Sequence, residues 1–134
     1  MSGVLIVGDL LTGAPKLTAV VAPAQIKAWK LPQGSPLPSI LVTRVSRPDR
    51  TMLDGTALRT VTERVQITAR AGSGQQREAI LRLVREACDG KAGAFAGFDG
   101  VAVMLAGTGP DFMDDAASIF MGSVDVRVSF NEPA

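Results

Sequence analysis

The chain has 134 residues, with 14 Lys and Arg against 13 Asp and Glu, no histidine, no tyrosine and one cysteine. That length fits one domain spanning 1–134, able to bury roughly two thirds of its unfolded surface without disulfides. Without histidine the usual base of nucleophilic catalysis and a common metal ligand are missing, and the lone Cys88 makes neither a bridge nor a thiolate site.

The charges are unevenly spread. Up to Phe98 there are 13 bases and 7 acids; from Asp99 onward one base, Arg127, stands against 6 acids. This asymmetry reads either as head-to-tail docking between copies or as neutralisation within one fold. The opening MSGVLIVGDLL is short, lacks a basic start and is interrupted by Asp9. It is expected to be neither a signal peptide nor a membrane span, so the chain should be made in the cytosol with no membrane partner.

Val4 to Leu11 carries its apolar residues at the spacing of a short helix, weakened by Gly8. A helical turn over Leu17 to Val21 should end near Pro23. Ile26 to Lys30 reads as a strand. The link LPQGSPLP cannot hold a ladder, because each proline lacks a donor N–H and fixes φ. Ile40 to Ser46 is rich in β-formers and should be the next strand. Trp29, the one tryptophan, reads either as core or as an interface anchor.

RPDRTMLDGT is a polar connection with turn chemistry at Pro48-Asp49 and Asp54-Gly55. From Leu58 to Arg70 the pattern alternates. Val61, Val65, Ile67 and Ala69 share one face with Glu63 as the exception, and Thr60, Thr62, Arg64, Gln66, Thr68 and Arg70 share the other. The arginines between Arg44 and Arg70 have no interleaved aromatics. They read as a solvated hairpin, a protein-docking arm, or a surface facing passing DNA.

Ser73 to Asp89 is the clearest helix. Ser73 and Gln76 have capping-box spacing, Ile80, Leu81, Val84, Ala87 and Cys88 form an apolar stripe, and Gly90 suits the C-terminal cap. Cys88 on that stripe reads as a small buried side chain. The Gly-Ser-Gly before the helix reads as a strand-to-helix turn or an anion cradle, the turn being favoured. GKAGAFAGFDG is expected as a loop, Val101 to Leu105 as a strand, and GTGPDFMDD as a turn or loop whose acids lack calcium-loop spacing. Ser118 to Phe130 alternates cleanly, with Phe120, Val124, Val126, Val128 and Phe130 on one face. These elements predict an α+β fold: an antiparallel sheet of about four to five strands, one main helix packed on one face and a short N-terminal helix.

The order of these segments resembles phage tail completion, or tail terminator, proteins of the minor-tail family. The resemblance rests on Pro15-Lys16-Leu17, Val20-Val21 and Ile26, the link from Leu31 to Pro38, and the strand from Ile40 to Ser46. It continues through Leu53-Asp54-Gly55, Val65-Gln66-Ile67, the helix from Arg77 to Cys88 and the last strand from Asp125 to Phe130, about 90% of the chain in order.

The resemblance implies a hexameric ring of identical subunits at the head-proximal end of a tail tube, in the virion of a phage or a gene-transfer particle. The implied partners are other copies, the tail tube protein, the head-tail connector or head-closure protein, and DNA passing without sequence preference. It implies no enzyme activity and no cofactor. The candidate contact residues are Trp29, Arg44, Arg47, Arg50, Arg59, Asp114 and Asp115. Two other readings stand beside it: a different head-tail subunit, or a small ligand-binding α+β domain.

Overall fold

A computed structural model describes residues 2–30, 36–46, 58–114 and 118–133. In chain order the elements are α1 (Ser2–Thr12), α2 (Pro15–Thr18), a 3-10 turn (Pro23–Gln25), β1 (Ile26–Ala28), β2 (Ser39–Ser46), β3 (Leu58–Ala71), α3 (Gly74–Cys88), β4 (Lys91–Phe95), β5 (Phe98–Thr108), β6 (Phe112–Asp114) and β7 (Ile119–Pro133). The strands form one sheet in the order β1-β2-β3-β7-β5-β4, with β6 attached beside β7.

The two long strands make the spine. β3 and β7 pair antiparallel over their whole length, Leu58 opposite Pro133 and Ala71 opposite Phe120. This register sets Val61 against Phe130, Val65 against Val126 and Ile67 against Val124. All six are fully buried. Because strand side chains alternate, the polar set of β3 falls together on the opposite face and is only half-buried.

Helices α1 and α3 cover the apolar face. α1 contributes Val4, Ile6, Val7 and Leu11, and α3 contributes Ile80, Leu81, Val84 and Cys88. Each full burial of such an aliphatic side chain stabilises the fold by about 1.5–3 kcal/mol. α3 starts as its sequence signals: the Gln76 N–H donates to Ser73 Oγ at 3.1 Å, and Gln76 Oε1 accepts from the Gly72 N–H at 3.0 Å. It stops where Gly90 takes φ +72 and its N–H bonds the Val103 carbonyl.

Glu63, the polar residue on the apolar face, is fully buried. Its Oε1 accepts from the Gly3 N–H at 3.0 Å, so it closes one of the unpaired donors in the first turn of α1. Glycine at position 3 fits a close approach. A Cβ there would lie 3.1 Å from that oxygen and 3.2 Å from Val65 Cγ2.

Four expectations are corrected. Among the described residues the sheet has seven strands, more than the four or five expected. It is mixed, because β1 runs parallel to β2. The segment from Gly90 to Gly100 is not a loop: β4 and β5 pair as a hairpin through Ala96-Gly97, at φ +51 and +83. Two successive positive φ values belong to the tight turn whose twist matches that of paired strands. Finally, β6 forms inside GTGPDFMDD, because β7 extends past the end of β5 and offers it a partner. The link 31–35 and the connection 47–57 lie outside the described residues.

Cys88 is fully buried, and burial pushes its thiol up from 9.0 to about 12, with the nearby Lys91 opposing and Asp89 adding. The folded thiol therefore stays protonated where the unfolded one ionises. Its share of stability is complete below pH 9 and falls as pH rises from about 9 toward 12. Native protein is expected to resist iodoacetamide at pH 8 and to react in full once denatured; rapid native labelling would contradict the burial.

Candidate assembly surface

A first surface forms where β1 ends. Ile26 and Ala28 sit in register with Ile40 and Val42 and pack against the core. The Trp29 N–H continues the ladder to the Val42 carbonyl at 2.9 Å, but Trp29 adopts φ +64 and leaves the strand. Its indole is 50% exposed. Lys30 follows, also exposed. On β2 the register shifts between Arg44 and Ser46, and the bulged Val45 is 54% exposed beside the exposed Arg44. Two apolar side chains and two cations thus share this end of the β1–β2 pair.

A second surface is β6. Phe112, Met113 and Asp114 pair with Met121, Phe120 and Ile119, and all three β6 side chains are exposed. The segment leading to it is tied down by Arg77 of α3, whose Nη2 lies 3.4 Å from Asp111 Oδ2. Gly122 makes room for this bridge: a Cβ there would meet Asp111 Oδ1 at 2.8 Å and Leu81 Cδ1 at 3.0 Å.

The third surface is the sheet face away from the helices. By register it carries Lys27, Arg64, Arg70 and Arg127 among Thr, Ser and Gln side chains, together with Asp125 and the apolar Leu41, Met104 and Met121. Arg64 and Arg127 stand directly opposite each other. Like charges in such a pair repel, and Asp125 offsets this by accepting from Arg64 Nε at 2.8 Å.

An open groove of roughly 800 Å³ lies between the α1–α2 corner, α3 and β4, with Leu10, Ala14, Leu83 and Phe95 among its lining. Its rim alternates in charge through Asp9, Lys16, Glu86 and Lys91. Among the described residues, no group of His, Cys, Asp and Glu is arranged to hold a metal ion. Nor is any helix among them long and apolar enough to cross a membrane.

The sequence-derived contact residues divide accordingly. Trp29 and Arg44 come together. Asp114 stands apart on β6, separated from β2 by β3 and β7. Arg59 lies on β3 opposite Glu132. Arg47, Arg50 and Asp115 lie outside the described residues. Sequence reasoning missed Lys30, Val45, Phe112 and Met113. The available signal was Phe112-Met113, an apolar pair between acids in an otherwise polar stretch.

The helix-backed sheet leaves large apolar residues exposed on β2, β5 and β6. Residues 7–130 match the family described as tail completion protein gp17, and the chain belongs to that family of phage-tail structural proteins. No curated protein sequence matches it. Among solved structures 18 chains match. One, from the virion of a native gene transfer agent particle, superposes with a TM-score of 0.70 over 96% of this chain and 94% of that one. At 15% identity this likeness speaks for the fold.

Proposed function

We propose that the protein is a tail terminator. In this reading each 134-residue chain is one domain, and six copies form a ring that caps the head-proximal end of the tail tube. One side of the ring meets the tube protein and the other the head-tail connector. The subunit works by assembling, without catalysis or cofactor. The observation that carries the reading is the family match across residues 7–130. The likeness to a chain of a gene-transfer virion, and the exposed apolar residues Trp29, Val45, Phe112 and Met113, support a place inside a particle.

A ring needs heterologous contacts, in which one patch meets a different patch and rotation closes the set. The chain offers Trp29 with Arg44 on one side and Asp114 on another as the contacts. Arg59, and Arg47, Arg50 and Asp115 in the neighbouring segments, are assigned to the same role. DNA passing through the lumen is the remaining partner. The cations of the uncovered sheet face suit it, because phosphate contacts carry no sequence preference.

The test is electron microscopy and light scattering of the purified chain, alone and with tail tubes. Rings of about six copies that cap tube ends and do not elongate are expected. Long cylinders formed by the chain alone would make it a tube subunit instead. A monomer at every concentration that leaves tubes uncapped would overturn the reading.

A further inference from the structure

We propose that the β6 ribbon of one copy docks on the Trp29 patch of the next copy. This rests on the ring reading above and names the contact that closes the ring.

Successive residues of a strand point to opposite faces, so a strand on a packed body ordinarily has one face covered. In β6 neither is: Phe112 is 50% exposed and Met113 is 42% exposed. Two adjacent large apolar side chains are wet on both sides of a ribbon that pairs with β7 over three residues. Only a partner that clasps the ribbon from outside removes both from water. The Arg77–Asp111 bridge at its base holds the ribbon in place, so little order remains to be imposed on binding.

The Trp29 patch has the matching chemistry. Residues 26–30 and 36–46 contain no acid, and Lys30 and Arg44 flank the exposed Trp29 and Val45. Residues 109–114 contain no base; Asp111 is bridged to Arg77, and Asp114 beside Met113 supplies the carboxylate. One surface is apolar with cations, the other apolar with a carboxylate at its end. Such pairing speeds encounter and rejects self-pairing of either patch, since like charges would face each other.

Trp29 adds a second observation. A bulky residue at φ +64 is strained, and strain of this kind gathers at functional positions. Here it turns the indole outward, and buried tryptophans are among the strongest interface anchors. Within one protomer the two patches are kept apart by β3 and β7. The contact therefore joins different copies, and its two unlike halves satisfy the condition for a closed ring.

The experiment uses the full chain with Val45→Cys and Met113→Cys combined, keeping the buried Cys88. Mild oxidation at concentrations that favour assembly is expected to give a ladder of disulfide-linked oligomers ending at the ring. Each single variant should give no ladder, and an equal mixture of the two should stop at dimers. As an independent arm, Lys30→Glu with Arg44→Glu should lower the assembled fraction roughly tenfold while the thermal melt is unchanged, with partial recovery on adding Asp114→Lys. Rings seen by microscopy without any cross-link, or rings unaffected by the charge reversal, overturn this pairing and leave the terminator reading standing. Wild-type chains that neither form rings nor cap tubes overturn both.

Discussion

Phe130→Ala is expected to lower the unfolding free energy by about 3–5 kcal/mol, among the larger costs for one core truncation. Phe130 is fully buried opposite Val61. Its ring meets Phe98 edge-to-face, with centroids 5.3 Å apart and planes at 63°. Truncation removes the apolar contacts, leaves a cavity that the β3–β7 spine cannot collapse into, and breaks the aromatic pair. For a chain of this length the melting temperature should fall by roughly 10–15 °C. The damage should also be local. Phe98 opens β5, and Gly100 at φ +63 brings that strand so close to Asn131 that a Cβ there would clash with its amide. Amide exchange at Val101 and Val103 should therefore speed up more than exchange on α3. Thermal and urea denaturation read the first effect and hydrogen exchange the second. A loss below about 1 kcal/mol would mean that the Phe98–Phe130 contact does not hold the hairpin to the spine.

The parts of this fold that could be read from sequence are those whose local pattern and final packing agree. β3 and β7 alternate with β-branched residues at the positions that become buried, so their period and faces were legible, although β7 runs on past the expected end at Phe130 to Pro133. α3 announced itself through Ser73, Gln76 and its stripe. The β4–β5 hairpin was hidden by its composition. Alanine and glycine supply no β-forming side chain, and the positive φ at Ala96 falls on a residue that gives no turn signal. β6 was hidden for another reason. Gly109-Pro110 and the acids around Phe112 speak for a turn, while the strand exists because β7 runs on to Ile119 and offers an unpaired edge. That is a tertiary fact. The parallel direction of β1 is tertiary as well, since three residues carry no mark of which way their neighbour runs.

The candidate surface was legible only in fragments. The choice between core and interface for Trp29 depends on its φ of +64, which no neighbouring residue type foretells. That Lys30 and Val45 would join it depends on the register of β1 on β2 and on the bulge after Arg44. The uneven distribution of charge along the chain was readable, and part of it is neutralised within the fold, where Arg64 pairs with Asp125 and Arg77 with Asp111.

Glu63→Ala should destabilise the protein by about 2–3 kcal/mol although it removes a polar side chain from an apolar face. A buried carboxylate is tolerated only where its oxygens are bonded, and here one takes the Gly3 N–H at 3.0 Å. Removing it strands that donor at the buried Gly3 and opens space beside Gly3 and Val65. Glu63→Gln keeps an acceptor oxygen of the same reach and should cost less, about 1 kcal/mol, since a charge-assisted bond becomes a neutral one. The order wild type, Gln, Ala in urea midpoints is the signature. Equal midpoints for all three would show that the carboxylate does not hold the helix. The same series reaches the proposed assembly surface. α1 packs on β1 and β2, and β1 is the short strand that presents Trp29. Loosening α1 should therefore let β1 fray before the spine unfolds, so Glu63→Ala should lose assembly at urea concentrations where the β3–β7 amides are still protected.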